Sequence, residues 1–187
     1  MAGSLYVAGT TAYATVFAVD PGPADTVVIS GAAGGVGSLA VQLARRRGAT
    51  VIGLASKPNH AWLTALGVVP VEYGNGMAER IRRASGGNVD AFIDTFGGGY
   101  VELAVELGVR PGRINTIRDW QAAAKIGART YGEGSAACAV VLGELARLAA
   151  RGDLEVQIAR TYPLEQVRDA FRELERRHTH GKIVLRP

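Results

Sequence analysis

The run of small residues Ser30-Gly-Ala-Ala-Gly-Gly-Val-Gly-Ser38 constrains this chain more than any other segment. It follows an apolar, β-branched stretch at residues 26–30 and opens a helical pattern over residues 35–47. A strand that turns straight into a helix needs residues without bulky side chains at the turn. The first amides of such a helix have no partner in the helix and point at whatever lies ahead, which makes the turn a ready anion site. In the frame of a dinucleotide fingerprint, Ala32, Gly34 and Gly37 fill the three glycine positions, with alanine at the first. The competing reading is a purely structural turn. The flanking strands favour the phosphate-binding one.

The rest of the chain repeats this alternation. Strands are expected at residues 26–30, 50–54, 68–72, 89–93 and 112–117. Helices are expected at 10–19, 35–47, 57–66, 77–84, 100–107, 135–150 and 164–177, and Pro58 is tolerated in a first helical turn. Strands alternating with helices imply parallel βαβ units covered on both faces. The fold class is therefore α/β, a doubly wound parallel sheet of the Rossmann kind with a C-terminal helix-strand appendage. Residues 1–150 form the dinucleotide-binding domain and 151–187 a separate C-terminal segment. The stretch Gly127-Ala-Arg-Thr-Tyr131 reads as a sixth strand at a sheet edge. Leu154, Val156 and Ile158 alternate with polar residues and Ile183, Val184 and Leu185 form a last strand, so both segments need a partner surface.

Composition excludes several classes. At 187 residues, 48% hydrophobic and 20% charged, the chain is of ordinary globular make-up. No stretch is long and apolar enough to span a bilayer, and the N-terminus lacks the pattern of a secretory signal, so a cytoplasmic setting is expected. The single cysteine, Cys138, excludes an intrachain disulfide and a thiolate-cluster zinc site. It sits in an alanine-rich stretch and reads as core. The formal charge is +4. Its densest cluster, Arg45-Arg46-Arg47, reads as the last turn of a helix capped by Gly48, and no aromatic platform accompanies it as nucleic-acid binding would require. His60, His178 and His180 have no ligand set around them, so no metal is expected. Gly-x-Ser-x-Gly does not occur. Arg151-Gly-Asp153 reads as a turn between helix and strand.

Gly31, Gly35 and Gly37 also fit the loop spacing of short-chain dehydrogenases. Those enzymes need a Tyr-x-x-x-Lys pair, and none of the six tyrosines has lysine four residues on. The end of the second strand, Leu54-Ala55-Ser56-Lys57, speaks to the choice of dinucleotide. An NAD enzyme places Asp or Glu there for the ribose hydroxyls. Here a hydroxyl and a cation stand instead, which suits a 2′-phosphate and so NADP(H). The competing reading makes Ser56 a helix N-cap; the two are compatible.

With these residues assembled, the chain resembles the zinc-free branch of the medium-chain dehydrogenase/reductase superfamily, the quinone-oxidoreductase-like (zeta-crystallin-like) proteins. Gly9-Thr-Thr-Ala-Tyr13 resembles the family's opening helix, and Asp25 through Gly37 its loop. Val89-Asp-Ala-Phe-Ile-Asp-Thr-Phe-Gly97 and Gly112-Arg-Ile-Asn115 resemble its fourth and fifth strands. Tyr162-Pro-Leu164 and His180-Gly-Lys-Ile-Val-Leu185 resemble its C-terminal signature. The resemblance implies a site in which Gly34, Gly35 and Val36 hold a pyrophosphate through their amides. Ser56, Lys57 and Tyr73, joined by Arg177, surround the 2′-phosphate. Thr95, Phe96 and Ile117 lie near the ribose and nicotinamide, and Thr11 approaches the nicotinamide. For three of these a plainer role competes: Tyr73 as a turn residue, Arg177 as a surface charge, Phe96 as core.

The resemblance further implies a small-molecule substrate, a quinone or an α,β-unsaturated carbonyl, and a homodimer formed through the 127–131 edge. It also implies a catalytic domain ahead of Met1, to which residues after about 152 return. The resemblance points to no catalytic residue within this chain, because the substrate cleft of the family lies between the two domains. The alternative function is a non-catalytic NADP(H)-binding module, or a subunit completed by another chain.

Overall fold

The computed structural model describes residues 2–176 and 178–187. Helix α1 (Ala2–Val19) begins well before the expected residue 10. Leu5, Ala8, Ala12, Val16 and Val19 recur at helical spacing and are buried, while Tyr6, Val7 and Phe17 on the other side are exposed. Strand β1 (Thr26–Ile29) leads through the glycine-rich turn into α2 (Gly37–Arg46), and β2 (Thr50–Leu54) follows. A single 3-10 turn, Lys57–Asn59, then runs into α3 (His60–Ala65). The series continues with β3 (Val69–Val71), α4 (Met77–Ser85), β4 (Ala91–Asp94), α5 (Tyr100–Glu106) and β5 (Ile114–Thr116).

All strand pairs are parallel, in the order β3-β2-β1-β4-β5. The order reverses between β1 and β4, and a doubly wound sheet opens its crevice at that point, off the carboxyl ends of the strands. One core lies between the sheet and α1, α2 and α8, around Ile29, Leu39, Val51 and Leu145. The other lies on the opposite face, around Ile52, Ile81, Phe92 and Ile114. The fold class read from the sequence is the one observed.

Beyond β5 the elements are α6 (Trp120–Ile126), α7 (Glu133–Ala136), α8 (Ala139–Ala150), β6 (Ile158–Pro163), α9 (Val167–Glu175) and β7 (Lys182–Arg186). Here several expectations are corrected. The single helix expected over 135–150 is broken, because Cys138 adopts an extended conformation and α8 starts anew after it. Cys138 is consequently exposed, not core. Residues 127–131 do not form a full strand. They make one parallel bridge, between Asn115 and Arg129, although they do lie along the outer edge of β5. The strand expected from residue 154 begins only at Ile158, since Leu154 and Val156 turn inward onto the main core.

The two C-terminal strands satisfy each other. β6 and β7 form a separate parallel two-stranded sheet. One tie between this C-terminal segment and the main sheet is a buried side chain. The amide of Gln42 donates to the Glu155 carbonyl at 2.9 Å, and its oxygen accepts from the Glu155 N–H at 2.8 Å. Two such bonds contribute on the order of 1 kcal/mol each. The nearby Arg46–Asp153 pair, 3.8 Å apart and with both side chains more than 40% exposed, contributes less. The arginine cluster is otherwise absorbed locally: Arg45 donates to the Ala49 carbonyl and Arg47 to that of Pro21.

Candidate functional site

At the carboxyl edge of the main sheet lies a cavity of about 520 Å³. Its floor is the turn from Gly31 to Val36. The turn is held closed by the Gly34 amide, which donates to the Gly31 carbonyl at 2.8 Å. A Cβ on Gly37 would stand 2.1 Å from that carbonyl, so only glycine lets the helix start this close to the strand end. Gly34 was expected to offer its amide to an anion, but the turn uses it. Among the described residues, no hydrogen bond engages the amides of Gly35 or Val36. These two face the cavity at the start of a ten-residue helix, where the aligned peptide dipoles favour negative charge.

The other expected residues divide. Ser56, Tyr73, Thr95, Phe96 and Ile117 all line the cavity with the loop. Lys57 is exposed on the 3-10 turn that follows Ser56 and does not itself line the cavity, although Ser56 and Asn59 on either side of it do. Ser56 does not cap that turn through its side chain; its hydroxyl accepts from Asn59 Nδ2 at 3.0 Å. Phe96 is not core but 42% exposed, edge-on to Tyr100 with ring centroids 6.1 Å apart. Thr11 is buried within α1, its hydroxyl donating to the Val7 carbonyl, and does not line the cavity. Arg177 lies outside the described residues.

The largest contribution that sequence reasoning missed comes from the other end of the chain. His178, Thr179, Gly181 and Lys182 line the same cavity. The Gly181 amide donates to the Ala33 carbonyl at 2.9 Å, and the Lys182 amide to the Gln157 carbonyl at 2.8 Å. Gly181 has φ +83°, and a Cβ there would stand 2.2 Å from the Gln157 carbonyl. The segment can therefore press down on the loop only with glycine at 181. Lys182 then lies over Gly35. Its pKa is lowered by burial, and among the described residues it makes no ion pair. A half-buried ammonium above two free amides is a site for a multiply charged anion.

The wall on the α4–α5 side is aromatic. Tyr73, Phe96 and Tyr100 line it. Burial raises the Tyr100 pKa, and the Asp94 carboxylate raises it further, so the ring is a neutral phenol at ordinary pH. Behind the C-terminal segment, His180 meets Trp62 edge-on at 4.6 Å, and burial lowers its pKa against the opposing pull of Glu155. Among the described residues, no group of three or more His, Cys, Asp or Glu side chains is placed to hold a metal ion, and no helix is long and apolar enough to cross a membrane.

Comparison with known proteins places this cavity in context. A family model described as zinc-binding dehydrogenase matches residues 66–185. The quinone oxidoreductase of Coxiella burnetii superposes with a TM-score of 0.83 at 31% identity, over 98% of this chain and 59% of its own. The CurK enoyl reductase superposes with a TM-score of 0.77 at 26% identity, over 97% of this chain and 57% of its own. In sequence, the pikromycin polyketide synthase component PikAII of Streptomyces venezuelae is 30% identical over 94% of this chain, which is 5% of that protein's length. The chain thus spans little more than half of the two structural relatives and a small part of the synthase.

Proposed function

This chain belongs to the zinc-binding dehydrogenase family, within the medium-chain dehydrogenase/reductase superfamily, and from that premise we propose that it is the NADP(H)-binding part of an oxidoreductase that passes hydride to a quinone or an α,β-unsaturated carbonyl. The observation that carries the reading is the meeting of Lys182 with the free amides of Gly35 and Val36 at the floor of the cavity. That arrangement suits a pyrophosphate. Ser56, Asn59 and Tyr73, with the exposed cation Lys57 next in sequence to Ser56, suit an adenosine carrying a 2′-phosphate. Thr95, Phe96 and Ile117 then flank the other nucleotide, across the point where strand order reverses.

When bound, the nicotinamide supplies the hydride chemistry. This chain holds and orients it. The Gly35 and Val36 amides and the Lys182 ammonium fix the pyrophosphate, and the aromatic wall excludes water from one face. A conjugated acceptor is supported by the names of two relatives, a quinone oxidoreductase and an enoyl reductase. In this reading zinc takes no part, the setting is cytoplasmic, and two copies associate through the 127–131 edge.

A second reading, a cofactor-binding subunit that needs another polypeptide for turnover, is favoured by exposed apolar side chains. Phe17 on α1 is 60% exposed and Phe171 on α9 59%. Steady-state NADPH oxidation with a quinone and with an enone acceptor separates the two readings. Turnover by this chain supports the first. Tight NADPH binding without turnover supports the second, and no binding of either dinucleotide overturns both.

A further inference from the structure

Asp94, the last residue of β4, is fully buried, and so are Ser30 at the end of β1 and Thr116 at the end of β5. Ser30 Oγ donates to Asp94 Oδ1 at 2.6 Å, and the amides of Phe96 and Gly97 donate to the same oxygen at 3.0 and 2.9 Å. Thr116 Oγ1 donates to Oδ2 at 2.6 Å. The direction of each hydroxyl is fixed by its other partners. Ser30 Oγ accepts from the Thr95 amide, and Thr116 Oγ1 accepts from the amides of Arg118 and Asp119. Both hydroxyl protons therefore point at Asp94, and only a carboxylate can receive all four donors.

This carboxylate does not reach the cavity. What it holds does. Through Ser30 it fixes Thr95, whose hydroxyl also donates to the Ser30 carbonyl at 2.7 Å. Through its own oxygen it fixes the turn at Phe96. Through Thr116 it fixes the turn at Arg118 and Asp119, which follows Ile117. Thr95, Phe96, Ile117 and Arg118 form the cavity wall at the β4–β5 end. Given the proposed cofactor, on which this inference rests, that end takes the nicotinamide nucleotide, because the residues after β2 face the adenosine. We infer that Asp94 is a positioning residue for the nicotinamide half of the dinucleotide, acting through Ser30 and Thr116 on the two loops that enclose it.

The two arms are not equal, and the difference makes the inference testable. In Asp94→Asn the amide nitrogen must replace one oxygen. At Oδ1 it would meet three donors, so it takes the place of Oδ2 and faces the Thr116 hydroxyl proton. The Thr116 arm then breaks while the Phe96 turn persists. Thr116→Val removes the same arm from the other side, and Thr116→Ser keeps it.

The experiment compares NADPH with 2′,5′-ADP, which carries the adenosine and 2′-phosphate but no nicotinamide. Calorimetry on the parent chain gives both affinities. For Asp94→Asn and Thr116→Val, NADPH affinity falls by about tenfold or more while 2′,5′-ADP stays within about twofold, and Thr116→Ser restores NADPH binding. The nicotinamide emission of bound NADPH shifts toward that of the free cofactor in the same two variants. A parent that binds neither ligand overturns the cofactor reading itself. A parent that binds both, with variants that lose both equally or neither, overturns only the positioning role. Should Asp94→Asn fail to fold, the valine and serine variants at Thr116 decide alone.

Discussion

Lys182 lies across Gly35: a Cβ on the glycine would stand 3.1 Å from the lysine Cδ and 3.5 Å from its Nζ. Gly37, two residues on, has no such neighbour, and its absent Cβ would instead strike the Gly31 carbonyl. The two glycines thus serve different ends. Gly35→Val displaces a flexible side chain and fills the space above the helix start. It is expected to abolish NADPH binding by calorimetry while the melting temperature stays near that of the parent. Gly37→Ala forces the turn open against backbone, an overpacking cost of about 1–3 kcal/mol, and lowers the melting temperature. A Gly35→Val protein with unchanged affinity would refute the placement of the pyrophosphate.

Lys182 makes the cofactor affinity depend on pH. Burial already lowers its pKa in the free protein, and an anion binds only the protonated form. NADPH affinity is therefore full below that lowered pKa and declines as pH rises through it, beginning below the ordinary lysine range. Lys182→Arg, which stays charged, flattens the decline. Lys182→Ala weakens binding by about 1.5–3 kcal/mol at neutral pH, the worth of a charge-assisted bond. Titrations across the alkaline range check both statements.

The choice of dinucleotide is expected to turn on Lys57, next in sequence to Ser56. We expect NADPH to bind at least tenfold tighter than NADH, about 1.4 kcal/mol. Lys57→Ala should remove most of that preference and leave NADH affinity nearly unchanged. Lys57 is exposed, so its contribution is screened by salt, and the preference should shrink as ionic strength rises. Equal titration curves for the two cofactors with the parent chain would sink the idea.

The outer edge of the sheet bears on assembly. The amides of Arg129 and Tyr131 donate inward, to the Ile114 carbonyl and to Asn115 Oδ1. By the alternation of extended backbone, Thr130 between them presents its amide outward. An unpaired edge of this kind invites a second copy. Light scattering is expected to give a dimer, and Thr130→Pro, which deletes the outward donor, to shift it toward monomer. A monomeric parent at working concentration would count against the pairing.

His180 gives the fold an acid limit of its own. Burial against Trp62 lowers its pKa, so the folded chain binds the proton less readily than the unfolded chain. Stability is therefore full above the ordinary histidine value and falls as pH drops below it, toward the lowered folded value. Replacement by glutamine should flatten that slope in urea melts between neutral and mildly acid pH.

The sheet and the loop were legible in the sequence because both rest on local rules. Short β-branched runs announce buried parallel strands, and the glycine spacing announces the turn. Helix α6 lies outside the expected elements although its local signals are present. Asp119 caps its start, accepting from the Ala122 amide at 3.1 Å, and Gly127 ends it at φ +72°. The break at Cys138 carries no such signal, since neither glycine nor proline stands there, and long-range packing decides it. The role of Lys182 is hidden from the local sequence for the same reason. The lysine reads as the first residue of a strand, and nothing within a dozen positions reveals that it folds back upon a loop near the other end of the chain.

That return has a consequence for how the protein comes into being. The glycine loop is synthesised before its cation, since Lys182 follows Gly35 by 147 positions. The contact that unites them closes a long loop of chain, and such distant pairings form late. The nucleotide pocket is then a late product of folding rather than a cavity waiting from the start. Cofactor, by binding only the finished arrangement, would draw the last steps forward.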